Sequence, residues 1–154
     1  MSEQSRLRSE VTLEVVGYFD DIYTKLQMLH VDKERVYTGK KRGLTEEEYR
    51  VASRALKDLL VTSKVGVRLA LVYGEGDLMG IFNYLKTSCR TASEILWSAT
   101  EQDWNEKGKQ ILTLFSERID PARKKLECTL IDGARPHLIA KNFLKRCKEI
   151  AFKK

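Results

Sequence analysis

The chain has 154 residues, 32% of them charged and 42% hydrophobic, with a formal net charge of +6 from 28 basic and 22 acidic side chains. This composition suits one soluble domain (residues 1–154) with its own core, and it favours anionic partners without marking a nucleic-acid-binding protein by itself. Two prolines and nine glycines are few for a turn-rich fold, the scattered Cys89, Cys128 and Cys147 suggest neither a disulfide framework nor a zinc site, and no run approaches the ~20 apolar residues of a membrane span.

The N-terminal MSEQSRLRSE lacks the apolar segment of a secretion signal, so a cytoplasmic, reducing location is expected. Leu7, Val11, Val15, Phe19, Ile22, Leu26 and Leu29 then recur every three or four residues and predict a first helix ending near His30. Residues 31–44 lose that period and carry Gly39, Gly43 and Lys40-Lys41-Arg42, the pattern of an exposed, mobile basic loop. Thr45 and Glu48 form a capping box, each side chain satisfying the other's backbone donor, and open a second helix predicted to run to Tyr73. Leu78, Ile81, Phe82, Leu85, Cys89, Ala92, Ile95, Leu96 and Ala99 mark a third helix, and Trp104, Ile111, Leu114, Phe115 and Ile119 a fourth. Asp120-Pro121 reads as an N-cap and first turn of a fifth, carrying Leu126, Leu130 and Ile131 as far as Gly133. Pro136 opens a last helix with Phe143 and Cys147 on its apolar side and Lys141, Lys145 and Lys148 opposite. The expected fold is all-α, a single-domain bundle of five or six amphipathic helices.

The stretch from Leu56 to Leu78 is the most apolar in the chain. On a continuous helix, at about 100° per residue, Leu56, Leu60, Val67 and Leu71 share one side and Val61, Val65, Leu69 and Val72 another. Ala55, Thr62, Ser63, Gly66 and Ala70 form a sector of small side chains open to a close neighbour. A helix apolar nearly all round predicts the central, most buried element of the bundle, over residues 46–73. Lys57, Lys64 and Arg68 fall in one narrow stripe, and unpaired buried cations are too costly to expect. They must therefore reach solvent, carboxylates or a bound anion. A strand over Val65–Leu71 followed by Gly74-Glu75-Gly76-Asp77-Leu78-Met79-Gly80 would resemble a dinucleotide-binding turn. Its spacing is one residue too long, and no other strand pattern is present to pair with it; the simpler reading is that Gly74 ends one helix in a left-handed residue and Asp77 caps the next.

Catalytic parts are sparse. His30 and His137 are the only histidines, and neither has a glutamate three residues before it, as a helical di-metal carboxylate site requires. Glu101, Asp103 and Glu106 read as a solvated helix start. No metal, cofactor or enzymatic role is expected. The basic residues have three readings: a solvated face, an anionic lipid surface met by Lys40, Lys41, Arg42, Lys141, Lys145 and Lys148 with a headgroup at Lys57, Lys64 and Arg68, or an RNA backbone. Against RNA, the cations are not interleaved with aromatics.

Lys64, Arg68, Leu69, Ala70 and Tyr73, within KVGVRLALVYGEGDL, resemble in order a helix of the TIPE family of tumour-necrosis-factor-induced helical regulators, with Leu78 where that family has a Phe. The spacing onward to ILTLFSER (111–118) and to Leu130–Phe143 is also similar, so the resemblance spans about residues 50–145. The family's Thr-x-Lys-Ser-His turn is replaced by residues 131–137, where only His137 is shared, and its final helix has no counterpart. The resemblance implies a helical bundle around an apolar cavity for acyl chains, with Lys57, Lys64 and Arg68 at a basic mouth for phosphoinositide headgroups. The functional expectation is a non-enzymatic binding or adaptor protein for anionic phospholipid, with a protein partner. The alternative is a small basic subunit of an RNA–protein assembly, and a nucleotide-binding enzyme ranks behind both.

Overall fold

The computed structural model describes residues 2–62 and 64–133. The first helix, α1 (Glu3–Tyr37), is the spine. From Val11 to Leu29 its predicted stripe is buried, with Val15, Ile22 and Leu29 at 0% exposure, while Leu7 is half-buried, and the buried set also takes in Val16, Tyr18 and Thr12. The remaining elements are α2 (Glu46–Val61), α3 (Lys64–Tyr73), α4 (Asp77–Ser98), α5 (Trp104–Leu114), a π-helical turn (Phe115–Ile119) and α6 (Asp120–Gly133). The described residues are all-helical and contain no strand. Gly74, at φ +79, ends α3 in the left-handed conformation and its N–H closes on Ala70, so the glycine turn joins two helices and no strand precedes it. Gly76 rather than Asp77 is the N-cap of α4, and Asp77 lies in its first turn.

Among the described residues these elements form four arms, the expected fourth and fifth helices running together as one, and the expected last helix from Pro136 lies outside the described residues. Along α1, Asp32 meets Leu44, Tyr18 meets Leu59, Glu14 meets Arg68 and Arg8 lies over the Tyr73 ring, so the α2–α3 arm runs antiparallel to it. Tyr18 and Phe19 pack on Phe82, and Lys33 reaches the carbonyl of Leu96, so α4 runs parallel to α1. From Trp104 beside Glu34, through Phe115 beside Tyr23, to Leu130 beside Thr12, the α5–π–α6 arm descends again. The expected break at Asp120-Pro121 is absent, because Asp120 is itself helical and its N–H reaches Phe115. Pro121 cannot donate to the carbonyl four residues back, and the ladder widens by one residue immediately upstream of it.

Two boundaries differ instructively from the sequence pattern. α1 continues past His30 to Tyr37, so the predicted 31–44 loop shrinks to the link between Thr38 and Thr45. Polar residues with specific partners carry the helix on: Lys33 donates to the carbonyls of Leu96 and Ala99, Tyr37 to Ala99, and Asp32 is 2% exposed. Asp32 accepts from Arg42 at 2.9 Å and from the backbone of Leu44 at 3.1 Å, so the predicted mobile loop is pinned at Arg42. The capping box at Thr45 and Glu48 forms as expected, both bonds at 3.1 Å.

The predicted single helix over 46–73 is broken. Thr62 is extended at ψ 141, and α2 ends at Val61. The carbonyls left without helical partners are taken by side chains: Leu59 accepts from Tyr18 at 2.6 Å, Leu60 from Arg90 at 3.0 Å and Thr62 from Lys86 at 2.7 Å. Cations at this end also oppose the negative pole of the α2 dipole. The 46–73 stretch is therefore not the buried centre, a position held by α1. Within α3 only Leu69 is buried.

Gly66 belongs to the predicted small-residue sector and does admit a close neighbour: a Cβ there would stand 3.1 Å from Cε1 of Phe82. Gly66→Leu is expected to lose about 1–3 kcal/mol of stability by overpacking, read from urea melts. Wild-type stability in that variant would contradict the α3–α4 contact.

A pH dependence follows from the α1–α5 joint. His30 packs on Trp104 at 5.4 Å between ring centroids, and its Nε2 is buried with no hydrogen-bond partner among the described residues. Burial lowers its pKa below 6.5, partly opposed by Glu34 and the backbone of Gly108. The unfolded chain then binds a proton that the folded chain refuses, so this contribution to stability is complete above pH 6.5 and is lost as pH falls towards the folded pKa. His30→Gln is expected to flatten the fall in melting temperature on acidification just below pH 6.5; an unchanged slope would remove His30 from the account.

Candidate functional site

The break between α2 and α3, with Thr62 extended, determines what α3 presents to solvent. On one continuous helix Val67 and Leu71 would share the side of Leu56 and Leu60. Leu56 and Leu60 are indeed buried, at 0% and 2%, yet Val67 is 54% and Leu71 80% exposed. The interruption resets the helical phase, so α3 buries Leu69 and turns the face at i, i+3, i+4 and i+7 outward. That face is Lys64, Val67, Arg68 and Leu71, all exposed, and Val61 stands 76% exposed just before the break.

The three cations predicted to form one mouth are separated. Lys64 and Arg68 sit one turn apart on α3, and among the described residues Lys64 has no ion pair. Arg68 Nη1 meets Glu14 Oε2 of α1 at 2.8 Å, an accessible pair with side chains 51% and 30% exposed. Lys57 remains on α2, its Nζ 4.6 Å from the centre of the Trp97 ring, and that indole donates to Ser53 Oγ at 2.8 Å. Lys57 thus lies flat against the end of α4, a cation–π contact worth about 0.5–1 kcal/mol at an exposed site. In the loop, Lys40 and Lys41 are exposed, whereas Arg42 is committed to Asp32 and to the face of Tyr49 at 5.3 Å. Lys141, Lys145 and Lys148 lie outside the described residues.

Two clefts of about 690 and 740 Å³ run between α4 and the α5–π–α6 arm and meet at Glu117 and Arg118 of the π turn. Their walls hold both signs, Glu106, Glu117 and Asp77 with Lys109, Arg118 and Lys125, and neither is lined by Lys57, Lys64 or Arg68. No group of acidic, histidine and cysteine side chains able to hold a metal occurs among the described residues. Burial pushes the Cys89 thiol up to about 12, which leaves it an inert core group.

The residues missed in the sequence are Val61, Val67 and Leu71. A continuous helix places Val67 and Leu71 with Leu56 and Leu60, and Val61 on another side; their exposure was not legible, because it depends on where the helix breaks. No protein-family model, curated protein or solved structure matches the chain.

Proposed function

We propose that this is a non-enzymatic binding protein that docks on anionic phospholipid at a membrane surface, with the outer face of α3 as the contact. The observation that carries the reading is the interleaving of free-standing Val67 and Leu71 with Lys64 and Arg68 on one exposed stripe. Large aliphatic side chains in water gain about 1.5–3 kcal/mol each on full burial, and cations near an anionic leaflet gain about 1 kcal/mol each. A lipid interface satisfies both demands at once, with the aliphatics among acyl chains and the cations at the phosphates. No helix among the described residues is long and apolar enough to cross a membrane, so the contact is peripheral in this reading. The headgroup is met on an open face rather than at the mouth of a cavity, and Lys40 and Lys41 supply further attraction.

The RNA alternative is less well served, since the α3 face offers aliphatic side chains where single-strand binding uses stacked aromatics. The test is co-sedimentation of the protein with phosphatidylcholine vesicles, with and without phosphatidylserine, beside an RNA mobility-shift assay over a salt series. Pelleting that requires phosphatidylserine and partly survives salt is expected. Equal behaviour on both vesicles, or a steeply salt-dependent RNA shift alone, would overturn the reading.

A further inference from the structure

The pairing of Arg68 with Glu14 bears on how the α3 face is regulated, and its interpretation rests on the docking reading above. We infer that Glu14 is an internal counter-anion that holds the Arg68 guanidinium in the absence of lipid and competes with a lipid phosphate for it. Carboxylate and phosphate offer a guanidinium fork the same kind of acceptor oxygens, so one can replace the other without rebuilding the site. Glu14 Oε2 stands 2.8 Å from Arg68 Nη1 and comes from a different helix, α1, which fixes it beside the docking face. The pair is half open to water, and such pairs are weak enough to exchange partners. Arg68 is the one cation of the α3 stripe held this way, while Lys64 beside it has no ion pair among the described residues. The protein therefore carries a partial block on its own face: one cation is spent internally until an anionic surface displaces Glu14, which is left as a repelled carboxylate at the rim.

Glu14→Gln frees the guanidinium and removes the rim charge. It is expected to tighten binding to phosphatidylserine-containing phosphatidylcholine vesicles about fivefold, the effect of roughly one charge at an anionic leaflet. Loss of a negative charge alone would also help binding, so two controls accompany it. Glu10→Gln removes a carboxylate of α1 that pairs with Arg6 and leaves Arg68 untouched. Arg68→Gln, alone and combined with Glu14→Gln, completes a double-mutant cycle. Competition predicts that the gain appears with Glu14→Gln, exceeds that of Glu10→Gln, and disappears in the Arg68→Gln background. Equal gains from both glutamates, or a gain that persists without Arg68, would overturn the counter-anion and leave docking intact. Failure of wild type and Glu14→Gln alike to bind these vesicles would overturn the docking reading, and this inference with it. Denaturation midpoints of the variants near wild type are expected, because the ion pair is exposed.

Discussion

Lys64→Glu combined with Arg68→Glu is expected to abolish pelleting with phosphatidylserine vesicles while leaving the melt close to wild type. The two reversals change the charge of the α3 face by four units. At about 1 kcal/mol per charge near an anionic leaflet, that corresponds to a loss on the order of a thousandfold in affinity. The folded state loses little, since Lys64 has no ion pair among the described residues and the Arg68–Glu14 pair is half exposed, a type worth about 0–1 kcal/mol. Placing a glutamate at position 68 beside Glu14 adds a small repulsion of the same order. If these cations served the fold instead, the double reversal would lower stability markedly with no vesicle present, and denaturation in buffer would reveal it.

Phe82→Ala is the substitution expected to damage the fold most. Its ring is 2% exposed, edge-on to Phe19 at 5.2 Å, stacked on Tyr18 at 6.1 Å and pressed against Gly66. It joins α4 to α1 and to α3 at one point. Removing a buried phenylalanine costs about 3–5 kcal/mol, a large part of the roughly 5–15 kcal/mol that holds a typical domain folded. Chemical denaturation should show that loss, and the penalty of Gly66→Leu should shrink in the Phe82→Ala background because the new side chain then has room. A loss below about 1 kcal/mol would contradict the placement of Phe82.

How much of this was legible in the sequence depends on the range of the interaction concerned. Local rules read correctly: the stripe from Leu7 to Leu29, the capping box at Thr45 and Glu48, and the glycine turn after Tyr73 all depend on neighbours a few residues away. The extension of α1 was not legible, because Asp32, Lys33 and Tyr37 look like loop residues until Arg42, Leu96 and Ala99 are brought to them. The break after Val61 was hidden for the same reason. Nothing local stops the helix there, and the orphaned carbonyls are satisfied by Tyr18, Arg90 and Lys86 from other arms. That break has the largest consequence: a continuous helix keeps Val67 and Leu71 in phase with Leu56 and Leu60 and reads as the centre of the fold, whereas α2 and α3 form an outer arm. The basic residues were identified as such, but their partners, Trp97 for Lys57, Glu14 for Arg68 and Asp32 for Arg42, are all tertiary.

The most direct test of the α3 face is the environment of position 71 when vesicles are added. Leu71→Cys, with the native cysteines other than buried Cys89 replaced by serine, would carry a polarity-sensitive fluorophore. Leu112→Cys, at a site 56% exposed on α5, would carry the same label as a control on a different arm. With phosphatidylserine-containing vesicles the label at 71 is expected to shift to the blue and gain intensity as it enters the acyl boundary, while the label at 112 stays as in water. No shift at 71 on vesicles that do pellet the protein, or the same shift at both positions, would contradict docking through α3.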